Sequence, residues 1–459
     1  MKIIKKLWNY FEKYGKLSIC NMNNTGSDFL NYKFNVKKTG EGTELCSVNS
    51  QGFKTSCISV NFTVPLSEKA SAFALVSGIL TRSSEKYPSV NIIERKSASL
   101  YGAEINTDVT KTGENQIIKF GISCIDDRFA LDGESIVREC AEFLFELLFK
   151  PNFVNGVFKK DEVESEKRLL LEQLSSEISD KRIYAKTRCE EIMFSDEVYG
   201  INRFGTAENI KAIDEKSLTE AYFELLSTAF ITVCVSGNNA DADSVGKLFS
   251  EYFPETERKP VKAETLFVES AEDVQYKKET ENVKQGKLVM GFRLGMTSAD
   301  DNYGARRVMI DLFGGSPHSK LFTVVREKMS LCYYCSARMF RAKGYMLVQS
   351  GIETYNEEKA KDGILAQLEE IKNGNFTDDD VAASVKALAD GFNSVSDTPE
   401  SLDSWFMSQS SSGKYLYPED FIKQFESVTR DDIIKAAKEV TLDTVFMLAG
   451  DATKTEGDK

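Results

Sequence analysis

Hydrolysis at a peptide bond needs a metal, a nucleophile or a base, and each leaves residues at a recognisable spacing. One histidine, His318, stands among 459 residues, so a catalytic zinc held by two or three imidazoles has no ligand set in this chain. His318 lies in the stretch FGGSPHSKLFTVVREKMSLCYY (313–334) and reads as a polar loop residue. Cys332, near the end of that stretch, and Cys335, just after it, form a single C-x-x-C with no second pair. A strand there sends the two side chains to opposite faces, which points to buried reduced thiols rather than a redox or metal motif. A cysteine nucleophile needs an oriented histidine beside it, and nothing orients His318. The chain also lacks a G-x-G-x-x-G after a strand, a Walker-type G-K-[ST] and a G-x-S-x-G elbow. What the stretch does hold is a pair of donors, Arg326 and, seven positions on, Tyr333. A guanidinium and a phenol both donate hydrogen bonds. Aimed at a peptide carbonyl, they position it and stabilise the oxyanion that forms on attack. Taken alone, R-E-K on a helix is a solvated face and a tyrosine at a strand start is half-buried packing.

The elements around the pair follow from local chemistry. Ser316 and Pro317 make a helix start, since proline at the first helical position forfeits no needed N–H. Leu321, Phe322, Val324 and Val325 supply an apolar face, and a helix running out near Ser330 places Arg326 on its last turn. Further afield the chain repeats itself. ENIKAIDEKSLTEAYFELLSTAFITVCVSGN (208–238) and EDFIKQFESVTRDDIIKAAKEVTLDTVFMLAGD (419–451) share one pattern about 212 residues apart. In each, a polar-apolar alternation leads to a capping Ser217 or Thr429, an amphipathic helix, and an apolar strand ending at Gly237 or Gly450. Segments 100–122 and 331–352 both read as strand, glycine-containing turn, strand. In CISVNFTVP (57–65), Ile58, Val60, Phe62 and Val64 alternate with polar residues ahead of a helix over 68–82, and GKLVMGFRLG (286–295) precedes one over 303–312. Longer helices are expected at 135–149, 160–178, 356–373 and 378–391. Hairpin strands with helices kept apart from them predict an α+β fold of two similar domains, each a mostly antiparallel sheet packed by helices. The charged, proline-containing PETERKPVKAE (254–264) is the expected linker between domains at 28–253 and 265–459, after an N-terminal extension of 1–27.

Composition narrows the class. A net charge of −13 argues against a nucleic-acid binder, which would show a basic face. Nine scattered cysteines, several in apolar strand-like runs, suit a reducing compartment better than a disulfide framework. The first residues lack the apolar core of a signal peptide, and no apolar run approaches the ~20 residues that span a bilayer. A cytoplasmic protein is therefore expected, with residues 3–17 as a basic amphipathic helix.

The duplicated α+β unit and the 313–334 stretch together resemble the insulinase/pitrilysin family of zinc metallopeptidases, across nearly the whole chain beyond residue 28. In that family an H-x-x-E-H on the helix after an early strand binds zinc and activates water. The matching helix here, KASAFALVSGILTRSS (69–84), places Ala74, Ser77 and Gly78 at the His, Glu and His positions. The family's downstream glutamates, seven residues apart, correspond to Glu166 and Gln173 in DEVESEKRLLLEQL (161–174), or to Glu172 if the alignment slips by one; Glu162 and Glu164 share that helix. One carboxylate cannot hold a catalytic zinc, so the resemblance implies a chain without the metal. The other family signature is kept: the glycine turn Gly314-Gly315, then Arg326, then Tyr333. It implies a non-catalytic subunit whose Arg326 and Tyr333 reach the zinc of a separate H-x-x-E-H-bearing chain. The resemblance further implies that the two chains close as a clam shell on an unfolded peptide, of the leader or bacteriocin class. The alternative it leaves open is an inert scaffold or peptide-binding protein of the same fold.

Overall fold

A computed structural model describes residues 32–238, 241–296, 302–410 and 413–450. The expected extension 1–27, its amphipathic helix, Cys20 and residues 28–31 lie outside them. Among the described residues no helix is long and apolar enough to cross a membrane.

Among the described residues, eleven strands form two sheets. The first contains β1 (Tyr32–Gly40), β2 (Thr43–Ser50), β3 (Thr55–Pro65), β4 (Glu104–Thr112), β5 (Asn115–Ile125) and β6 (Phe230–Gly237). The second contains β7 (Gln275–Glu281), β8 (Gly286–Arg293), β9 (Cys332–Phe340), β10 (Tyr345–Ile352) and β11 (Thr441–Gly450). Their orders are β1-β2-β6-β3-β5-β4 and β7-β11-β8-β10-β9. In both, the last strand of the half pairs parallel with one neighbour and antiparallel with the other: β6 with β2 and β3, β11 with β7 and β8. The repeat read from the sequence is thus a repeat of topology, with β1 as an extra edge strand in the first half.

The local signals account for most elements. The hairpin β4–β5 turns at Gly113 and β9–β10 at Gly344, both with positive φ, where glycine avoids the Cβ clash. The helices Lys160–Ser179, Glu357–Lys372 and Asp378–Asn393 stand where the periodicity places them. Two details of the repeat differ. The alternating stretches before it are short helices, Ala207–Ala212 and Pro418–Glu426. Ser217 is not the cap of its helix: Asp214 caps it and Ser217 answers as the third residue of a capping box, whereas Thr429 does cap its helix.

Each half lends a helix to the other. One face of the first sheet packs on its own helices in a core that includes Ile58, Val60, Phe62, Ile118 and Phe145. The opposite face is roofed by Pro399–Met407 from the second half, with Phe406 stacked on Phe34 at 4.0 Å. Reciprocally, Lys181–Met193 from the first half covers the second sheet, its Ala185, Cys189 and Met193 against Val289, Leu347 and Phe446. The linker is docked as well: the Lys259 and Val261 amides donate to the Ser227 and Thr228 carbonyls at 2.8 and 2.9 Å.

Candidate functional site

The helix Ala70–Ile79 carries the first set of positions. Ala74 and Ser77 are buried, and the Ser77 hydroxyl donates to the Ala74 carbonyl at 2.7 Å, so it is consumed by its own helix. Gly78 faces the helix Lys160–Ser179 so closely that a Cβ there would stand 2.0 Å from the Glu166 Oε2. Glu166 therefore occupies the room that an imidazole at 78 would need. Its charge is matched by Arg82, one turn beyond Gly78, in an ion pair with both side chains largely buried. The other acids are spoken for or exposed. Glu162 accepts from Ser83 at 2.9 Å and from Lys159, Glu164 pairs with Lys167, and Glu172 and Gln173 face solvent. Glu172 lines an open groove of about 740 Å³ together with Lys167, Arg168 and Lys211. A zinc ion does not fit this locus: it offers a methyl, a self-bonded hydroxyl, a bare Cα and one carboxylate already held by a guanidinium. Among the described residues no three His, Cys, Asp or Glu side chains come together as a metal requires.

The second set lies between the helix Tyr303–Ile310 and β9. The glycine turn is a wide helical segment, Asp311–Gly315. Gly314 is buried, its backbone departs from helical geometry, and proximity requires it: a Cβ would lie 2.7 Å from the Ala337 nitrogen in β9. The helix does not begin at Pro317. Ser316 is extended, residues 317–319 form a turn with His318 exposed, and helix runs from Leu321 to Lys328 with π-type bonding. The Met329 amide donating five residues back to the Val324 carbonyl, at 2.8 Å, marks that wider coil. Leu321 and Val325 are its buried residues. Arg326 sits in the last turn as expected, its guanidinium 4.2 Å from the centre of the Phe322 ring.

Strand β9 then begins irregularly. Cys335 pairs with Ser350 and Tyr334 with Gly351, but Ile352 pairs with Cys332, leaving Tyr333 as an extra residue in a β-bulge. Tyr333 is 66% exposed, and its phenol donates to Glu353 at 3.4 Å. Tyr334 packs instead beneath the Arg182 guanidinium, 4.6 Å from its ring centre. The bulge also overturns the expectation for the cysteines. Ser350 and Ile352, two apart on β10, share a face, so their partners Cys335 and Cys332 share it too. The Cys335 thiol donates to Cys332, and with Arg326 nearby this holds the Cys332 thiol down at about 7, while Cys335 is pushed up.

Arg326 and Tyr333 thus flank one short connection, the first steadied by Phe322 and the second by Glu353. From the sequence Phe322 reads only as part of an apolar face, and Glu353 and Arg82 are not singled out. Phe322 carries a signal, standing four residues before Arg326 on a helix. Glu353 and Arg82 carry none, because their partners come from another strand and another helix.

Comparison with known proteins follows this geometry. The family described as "Peptidase M16 inactive domain" matches residues 212–388. The probable inactive metalloprotease YmfF of Bacillus subtilis is 31% identical over 431 residues, covering 93% of this chain and 100% of that protein. Among solved structures, a conserved protein from Enterococcus faecalis superposes with a TM-score of 0.84 at 27% identity, over 94% of this chain and 100% of the other. A peptidase M16 inactive domain from Pseudomonas fluorescens, at 16% identity, shares the fold with a TM-score of 0.72 over 92% and 98% of the two chains.

Proposed function

The chain belongs to the insulinase (M16) peptidase family, in its inactive branch, and from that premise we propose that it is the non-catalytic subunit of a two-chain zinc peptidase. A separate subunit bearing H-x-x-E-H holds the metal. This chain presents Arg326 and Tyr333 to the substrate carbonyl, so that guanidinium and phenol donate to the oxygen on which charge develops. Gly314 and Gly315 shape the turn that lets the Arg326 helix lie against β9. The substrate is an unfolded peptide in a chamber closed by the two chains, with leader or bacteriocin peptides as the class, and the setting is the cytoplasm.

The observation that supports this reading is Tyr333 itself. A tyrosine kept for packing is buried, whereas Tyr333 is two-thirds exposed, set in a bulge and tethered by a single long hydrogen bond. Arg326, too, makes no ion pair to any described residue. To meet a substrate carbonyl, Arg326 gives up no ion pair and Tyr333 only its long bond to Glu353.

The test mixes this chain with the H-x-x-E-H protein encoded beside it and follows cleavage of an unfolded peptide library. Cleavage is expected to need both chains. Tyr333→Phe should lower turnover about 10²–10³-fold, the usual loss for one oxyanion donor, with KM nearly unchanged. Cleavage by the partner alone at the same rate, with or without this chain, would refute the composite site and leave the scaffold or peptide-binding role.

A further inference from the structure

We propose that Cys332 and Cys335 form a thiol–disulfide exchange site, built across the β-bulge that carries Tyr333 and reactive toward low-molecular-weight disulfides. The geometry comes first. In a regular strand, residues three apart stand on opposite faces and about 10 Å apart, outside the reach of a disulfide. The extra residue at Tyr333 changes both terms. Cys332 and Cys335 lie opposite Ile352 and Ser350, two positions apart on β10, which brings their Cα atoms to roughly 6.6 Å along the strand. That is near the upper limit of the ~4.4–6.8 Å between Cα atoms that disulfides span, and the two thiols lean together, each acting on the other. Both face the core of the second half, Cys335 buried and Cys332 at its margin.

The two thiols differ as an attacking and a resolving pair differ. Of the eight described cysteines, seven are buried and Cys332 alone is partly open. Around it stand Cys335 on its own strand and the Arg326 guanidinium from the preceding helix, both favouring the thiolate against the cost of its partial burial. A lowered pKa raises the thiolate fraction near neutral pH more than it lowers the nucleophilicity of the thiolate, which makes Cys332 the attacking thiol.

The exchange balances in two steps. The Cys332 thiolate attacks one sulfur of a disulfide RSSR; that S–S bond breaks, RS⁻ leaves and takes up a proton, and a mixed disulfide forms. Cys335 gives up its proton and attacks the Cys332 sulfur, expelling the second RS⁻, which is protonated to RSH. The protein loses two electrons and two protons, and RSSR becomes two RSH. The couple stands apart from the peptidase role, but there it would place Tyr333 inside a closed covalent loop.

The experiment uses the full chain in a Cys20→Ser background, so that a cysteine outside the described residues does not compete, with oxidised glutathione as the probe. Intact mass should show loss of two hydrogens without retained glutathione, and peptide mapping should place the bond between Cys332 and Cys335. Cys335→Ala, which adds no buried hydroxyl, should instead accumulate one glutathione on Cys332. Iodoacetamide trapping of Cys332 should rise with a midpoint near pH 7. A folded Cys332→Ser protein that oxidises as fast as its parent, a bond mapped to another pair, or a Cys335→Ala protein that takes up no glutathione would each overturn the site. None of these readouts involves cleavage, so their failure leaves the peptidase proposal where it stood.

Discussion

Glu166 stands where the family resemblance would place a zinc site, and its surroundings leave no room for one. The room beside Gly78 is filled by its carboxylate, and the cation facing it is the Arg82 guanidinium. Restoring imidazoles alone should therefore fail. Ala74→His/Gly78→His has to displace Glu166 from Arg82 and leave a buried charge without its partner, a cost of about 1–3 kcal/mol. Elemental analysis after zinc loading should find far less than one equivalent, with a lowered unfolding midpoint; stoichiometric zinc in the double variant would refute this account. At the other locus, Tyr333 owes its exposure to one extra residue in β9, so its chemistry depends on backbone register as much as on its hydroxyl.

At the scale of elements, the Gly314-Gly315 turn and the wide helix Leu321–Lys328 act together to bring Arg326 beside β9. Gly314→Ala places a methyl 2.7 Å from the Ala337 backbone nitrogen and from the Leu321 side chain. Backbone cannot step aside as a flexible side chain can, so overpacking should cost about 1–3 kcal/mol. Gly315 is exposed and the nearest atoms its Cβ would meet belong to the Asp311 side chain, not to backbone, so Gly315→Ala should cost clearly less. Urea midpoints of the two variants decide the matter, and equal effects would mean that close approach to β9 is not what Gly314 supplies.

The whole molecule is held by exchange between its halves. Asp403, on the helix from the second half, is wholly buried against the first sheet and accepts from Ser59 at 2.7 Å and from Lys119 at 2.6 Å. Elsewhere between the halves, buried Lys343 pairs with Glu114 from the first half and, at 2.7 Å, with Glu197. Arg293 joins Glu197 to Asp443 at 2.9 and 2.7 Å. Removing one partner of such a pair strands the other. Asp403→Ala should therefore destabilise by about 3–5 kcal/mol, and both halves should unfold together, since each covers the other's sheet. Two separate thermal transitions in the variant, one at the parent temperature, would contradict that coupling.

Much of this architecture is legible in the chain itself. The strands and helices, the glycine turns of the hairpins and the duplication follow from periodicity and turn residues, which act over a few positions. The loss of the zinc ligands needs only a count of histidines. The polar residues that alternate with Ile58, Val60 and Phe62 show where such reading stops. Ser59, Asn61 and Thr63 look solvent-facing, yet all are buried, because a helix about 340 residues away lies on them and Asp403 accepts from Ser59. The bulge at Tyr333, the shared face of Cys332 and Cys335 and the Arg82–Glu166 pair were equally out of reach. Each is decided by which residue a distant strand or helix places opposite, and periodicity records how a segment faces its surroundings but not what those surroundings are.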